Sequence, residues 1–321
     1  MRKSYVVLLF AGLFFSGQIR MNANGRDARK SVNKREGPTG LVHLDTAGPG
    51  LKGRSAPRLI SRQFSFTEGP AVDAAGNIFF TDQPNDRIWE YDTSGRLSIF
   101  LEKAGRSNGM YFDKSGSLIT CADGKDELWS VSPDKKITVL VDNFKGHRLN
   151  GPNDCWVDPS GGIYFTDPYY QRPYWDRTHS DLDGEKVYYL PPGSKEPVIA
   201  DGDLMQPNGI VGTPDGRYLY VADIKAGKTY RYRIRSDGSL GARKLFVSMG
   251  SDGMTLDARG NVYLTGKGVS VFDRHGKKID QIDIPEDWTA NVCFGGKDRR
   301  DLFITASAAI YIVRMPVKGV E

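Results

Sequence analysis

A tandem repeat constrains this chain more than any other feature. From Glu68 onward one pattern returns at intervals of roughly 35–55 residues, about the length of a propeller blade. Each unit opens on a polar residue, usually followed by glycine: Glu68-Gly69, Asn108-Gly109, Asn153-Asp154, Asn208-Gly209, Asp252-Gly253 and Asn291-Val292. A short apolar strand comes next, then a turn such as Asp73-Ala74-Ala75-Gly76 or Asp113-Lys114-Ser115-Gly116, where Asp and Gly meet the backbone demands of a hairpin. Further strands follow, for instance Ile78-Phe79-Phe80 and Ile88-Trp89-Glu90-Tyr91 in the first unit. Long helical periodicity is absent. These units predict an all-β protein, a six-bladed β-propeller with four-stranded antiparallel blades. The last unit lacks a fourth strand, while Leu59 to Phe66 precedes the first without a blade. Pairing the two closes the ring and removes an exposed edge.

The ends of the chain read differently. Arg2 and Lys3, the apolar run Val6 to Phe15 and small residues such as Ser16, Gly17 and Ala23 have the layout of a secretory signal over residues 1–23. A polar, basic leader is expected over 24–56 and the propeller over 57–321. The apolar run is short for a bilayer span. An exported protein, periplasmic or secreted, without a stable membrane span in its mature form is therefore expected; a short tethering helix is the alternative. Net charge is +5 with no Lys/Arg run in the repeats, which argues against a nucleic-acid partner. Cys121, Cys155 and Cys293 lie in strand-like runs and read as buried small hydrophobes. Cys155 and Cys293 fall in opposite blades, too far apart for a disulfide.

The first strand of a propeller blade lines the central channel. Glu68, Asn108, Asn153, Asn208, Asp252 and Asn291 therefore occupy equivalent places at one mouth. Six oxygen acceptors, two of them carboxylates, suit one hard divalent cation, calcium first, with magnesium, zinc or manganese as alternatives. The bland reading is a hydrogen-bonded polar plug. It is weaker for Glu68 and Asp252, because converging carboxylates repel. The loop after each second strand lies at the same mouth. In the third unit that loop is long, Asp167 to Gly184, and holds Tyr169, Tyr170, Arg172, Tyr174, Trp175, Arg177 and His179. It reads as a substrate lid, or else as a surface loop packing its own aromatics.

Glu68-Gly69-Pro70, Leu149-Asn150-Gly151-Pro152-Asn153-Asp154, Tyr164-Phe165-Thr166-Asp167-Pro168, Gln206-Pro207-Asn208-Gly209 and Asp252-Gly253-Met254 carry a family resemblance. The chain resembles the senescence-marker-protein, gluconolactonase and luciferin-regenerating-enzyme-like family over about residues 60–315, bacterial gluconolactonases in particular. The resemblance implies one catalytic divalent ion on Glu68, Asn153, Asn208 and Asp252, with Asp252 also the proton acceptor or a group that orients the nucleophile. It implies a metal-dependent hydrolase opening a small, sugar-derived lactone. Asn108, Asn153 and Tyr170 are the expected substrate contacts. Animal members carry a substrate-binding arginine where this chain has Gly151, and Arg148 is the expected nearby substitute. Two other readings stay open: a sugar- or partner-binding propeller with a structural calcium, and a hydrolase of phosphotriesters or other esters.

Overall fold

The computed structural model describes residues 51–320. The expected signal segment, and the leader up to residue 50, lie outside the described residues. Six four-stranded antiparallel sheets form the blades of a β-propeller, as the repeat predicts. The first blade runs Thr67–Val72, Ile78–Asp82, Arg87–Tyr91 and Leu97–Glu102, with each strand paired to the next. The innermost strands of the other five are Met110–Phe112, Cys155–Val157, Pro207–Gly212, Met254–Leu256 and Thr289–Gly295.

Alternation explains the burial. Second strands such as Ile163–Asp167 and Val262–Gly266 are buried at every residue, since both faces meet a neighbouring blade. Outer strands such as Leu97–Glu102 are half exposed. Aromatic side chains fill the wedges between blades. Phe80 of the first blade lies 5.4 Å, ring to ring, from Phe303 of the last. Gly212 leaves room for Trp156 of the preceding blade, whose ring would stand 2.3 Å from any Cβ there.

The ring closes as expected. Arg58–Ser61 pairs with Ala309–Arg314 in the register Arg58 to Ile312 and Leu59 to Tyr311, giving the last blade its fourth strand. Leu51, Arg54 and Ser55 of the expected leader also engage the propeller. The Leu51 amide donates to Asp280 at 3.1 Å, and Arg54 pairs with the same carboxylate at 2.9 Å. The three cysteines are buried and free of disulfides. The thiols that meet are Cys121 and Cys155, from adjacent blades. Among the described residues, no helix is long and apolar enough to cross a membrane.

Candidate functional site

Three of the four expected metal ligands are set in place by one recurring device. Asp82, at the end of its blade's second strand, accepts the amides of Ser65 and Phe66 at 3.0 and 3.2 Å. Asp167 accepts those of Asn150 and Gly151, both at 2.9 Å. Asp223 accepts those of Met205 and Gln206 at 2.9 and 3.1 Å. In each case the clamped amides lie three and two residues before the opening residue, so the clamps fix the approach of Glu68, Asn153 and Asn208. The second strands of blades two, five and six end instead on Ala122, Gly266 and Ala306, which carry no carboxylate. Asn108, Asp252 and Asn291 thus lack the clamp. The spacing of aspartates at strand ends is a signal that sets Glu68, Asn153 and Asn208 apart, and it does not find Asp252.

The inner strands crowd the axis. A Cβ on Gly69 would stand 2.0 Å from the Asn108 carbonyl, and one on Gly209 would stand 2.7 Å from that of Asp252. A Cβ on Gly253 would meet the Asn291 side chain at 2.0 Å. Glycine after the opening residue is therefore a requirement of close approach between blades. The third and sixth blades depart from this rule, with Asp154, whose carboxyl reaches back to Gly109, and with Val292.

The result is a buried centre rich in acceptors. Glu68, Asn108, Asn153, Asn208 and Asn291 are all buried, and Asp252 is partly exposed at the mouth. Asp252 contacts the side chains of both Asn208 and Glu68. Burial first, then the Asp252 charge, hold the Glu68 carboxyl well above the usual carboxylate range. Burial likewise pushes Asp252 up to about 6 and Asp154 to about 8. At this centre two buried side-chain oxygens, Asn108 Oδ1 and Asn208 Oδ1, have no hydrogen-bond partner among the described residues. Such oxygens are costly to bury unmatched. Two touching carboxyls beside an unmatched carboxamide oxygen fit one hard cation, whose charge would relieve both defects. Among the described residues no group of three His, Cys, Asp or Glu side chains could hold a metal, and two of the four expected donors are asparagines instead.

Two neighbours orient this centre. Asn208 Nδ2 donates to the Tyr170 hydroxyl at 2.9 Å, which brings the expected substrate contact Tyr170 to the mouth. Trp288 Nε1 donates to Asp252 Oδ2 at 2.5 Å. Trp288 stands in the connection before the last inner strand, outside the repeat, so nothing in the repeat singles it out.

The insertion of the third blade is bolted to the second. Asp123, buried, accepts from Arg172 Nε at 3.1 Å, from the Tyr174 hydroxyl and from Gln83 at 3.1 Å. Arg177, also buried, donates to Asp126 at 2.6 Å and to the carbonyls of Leu149 and Asn150 at 2.8 and 2.6 Å. Its guanidinium lies 4.2 Å from the Trp175 ring. Gly151 sits beneath, at φ +129°, where a Cβ would meet Asp123 at 2.7 Å and Trp175 at 2.9 Å. No larger residue fits at Gly151. Arg148, the expected substitute, is not brought to the channel: it is half exposed and held by Asp181 at 2.9 Å and Asp176 at 3.1 Å. The arginine whose charge reaches Asp252 is Arg172.

Comparison with known proteins agrees with this fold. Residues 66–308 match the SMP-30/gluconolactonase/LRE-like region. A gluconolactonase from Zymomonas mobilis is 30% identical, over 81% of this chain and 82% of its own length. Pentonolactonase XacC from Haloferax volcanii is 23% identical, over 78% of this chain and 84% of its own. Among solved structures, a gluconolactonase from Xanthomonas campestris superposes with a TM-score of 0.75 at 27% identity, covering 84% of this chain and 97% of that one.

Proposed function

The chain belongs to the SMP-30/gluconolactonase/LRE-like family, and on that premise we propose that it hydrolyses a small sugar-derived lactone with the help of a divalent cation, calcium first. The relatives named for gluconolactone and pentonolactone support the substrate class. One observation carries the cation: the Glu68 and Asp252 carboxyls share a buried centre with Asn208, whose side-chain oxygen lacks a partner. Glu68, Asn153, Asn208 and Asp252 would hold the ion. When bound, it supplies Lewis acidity that polarises the lactone carbonyl and stabilises charge developing there.

The chain's own groups do the rest. Asp252 accepts a proton from the attacking water, and Trp288 on Oδ2 fixes the orientation of its carboxylate. As the ring C–O bond breaks, the same proton passes from Asp252 to the departing ring oxygen, and a hydroxy acid results. Tyr170 and Asn108 orient the hydroxyl groups of the substrate. If the N-terminal signal acts as its layout suggests, this chemistry takes place in the periplasm or outside the cell.

A panel of lactones, with a phosphotriester included, assayed with and without a chelator tests the reading. Lactone hydrolysis that disappears on chelation and returns with calcium is the expected outcome. Hydrolysis indifferent to chelation removes the cation from the proposal. Binding of sugars without hydrolysis of any lactone replaces the enzyme with a binding propeller.

A further inference from the structure

We infer that a cleft beside the channel mouth binds an anionic group, carboxylate or phosphate, that the substrate carries away from its reacting carbonyl; the inference rests on the lactone reading above. The cleft has a volume of about 490 Å³ and is open to solvent, and its walls include Phe66, Gln83, Pro84, Arg106, Arg172 and Tyr174. It adjoins the catalytic centre by construction. Phe66 lies two residues before Glu68 and Arg106 two residues before Asn108, while Arg172 stands over the Tyr170 ring at 5.5 Å.

Both arginines have donors to spare. The Arg106 guanidinium makes one hydrogen bond among the described residues, from Nη1 to the Pro84 carbonyl at 2.7 Å, and no ion pair. Its face lies 4.3 Å from the Tyr174 ring. Arg172 uses only Nε, on Asp123, and its two terminal nitrogens have no hydrogen bond among the described residues. Asp123 pairs with Arg172 and not with Arg106, and the residues that line the cleft include both arginines and no carboxylate. A guanidinium fork matches the paired oxygens of a carboxylate or phosphate.

The backbone holds this arrangement at a cost. Arg106 has φ +50°, a left-handed conformation that side chains of its size rarely adopt. Its amide is tied to Asp86 Oδ1 at 2.6 Å, which keeps it there. Strain of this kind persists where the surroundings enforce it, and it concentrates at ligand sites. Tyr174 completes the frame, with its ring under Arg106 and its hydroxyl on the carboxylate that anchors Arg172.

Calorimetric titration of the calcium-loaded full chain with gluconate, glucarate and 6-phosphogluconate tests the cleft without turnover. A second anionic group should tighten binding at least about tenfold over gluconate, the scale of one charge-assisted hydrogen-bonded contact. Which of the two dianions binds tighter identifies carboxylate or phosphate. Arg106→Gln and Arg172→Gln should each reduce that preference about tenfold, while Arg217→Gln, paired with Asp215 in a distant turn, should leave it intact. Should Arg172→Gln unseat the insertion and fail to fold, Arg106→Gln alone decides. Equal affinity for all three acids, or a preference that survives Arg106→Gln, overturns the inference. Because the readout is binding, a protein that prefers dianions yet opens no lactone keeps the cleft and loses the hydrolase reading.

Discussion

The amide nitrogen of Asn208 donates to the hydroxyl of Tyr170 at 2.9 Å, and the amide oxygen is left buried without a partner. A residue of the insertion therefore decides which end of an inner-strand side chain is spent on protein and which is free for an ion. Tyr170→Phe keeps the ring and removes that acceptor. Calcium affinity should fall by roughly 10- to 100-fold, the usual effect of removing a group that orients a ligand. Calcium titration of the chelator-stripped protein measures it; unchanged affinity would mean that Asn208 is oriented by other means.

Asp252 and Glu68 touch, but they are assigned different work. Asp252→Asn retains an oxygen for the ion and removes the proton acceptor, so hydrolysis at saturating calcium should drop by about two to four orders of magnitude. Glu68→Gln should lose chiefly metal affinity and recover much of its rate as calcium is raised. Equal recovery of both variants would make Asp252 a ligand only.

The clamp aspartates act through the loops they hold. Asp223→Asn turns an acceptor of three amides, those of Met205, Gln206 and Ala226, into a group with one acceptor and a misplaced donor. Calcium affinity should weaken about tenfold or more while the kcat reached at saturating calcium stays near that of the unaltered protein. Loss of kcat with no change in affinity would contradict the positioning role.

Gly151 is constrained by both backbone and space. Gly151→Ala puts a Cβ against Trp175 and Asp123 at a φ of +129°, and it should destabilise the protein by about 2–4 kcal/mol from strain and overpacking together. Denaturant unfolding measures this. Adding Trp175→Ala should relieve the overpacking share alone, so the two changes should be non-additive. Strict additivity would show that the indole does not press on this position.

Much of the architecture was legible in the chain because propeller blades are local structures. Strand, turn and strand follow one another within each repeat, so Asp-x-x-Gly turns and alternating apolar residues specify each blade from nearby residues alone. Equivalence between repeats then assigned Glu68, Asn108, Asn153, Asn208, Asp252 and Asn291 to one mouth without a coordinate. Residue chemistry set Glu68 and Asp252 apart among those six, but sequence could not place Arg172 rather than Arg148 near Asp252, or find Trp288. Each of these depends on contacts between segments that the repeat does not relate. Arg172 and Arg177 belong to the third blade but are anchored on Asp123 and Asp126 of the second. Trp288 reaches Asp252 across 36 residues from the connection to the last blade. The free energy that chooses such partners comes from burying charges and donors in pairs, and a pair exists only once the ring has closed and its blades stand side by side.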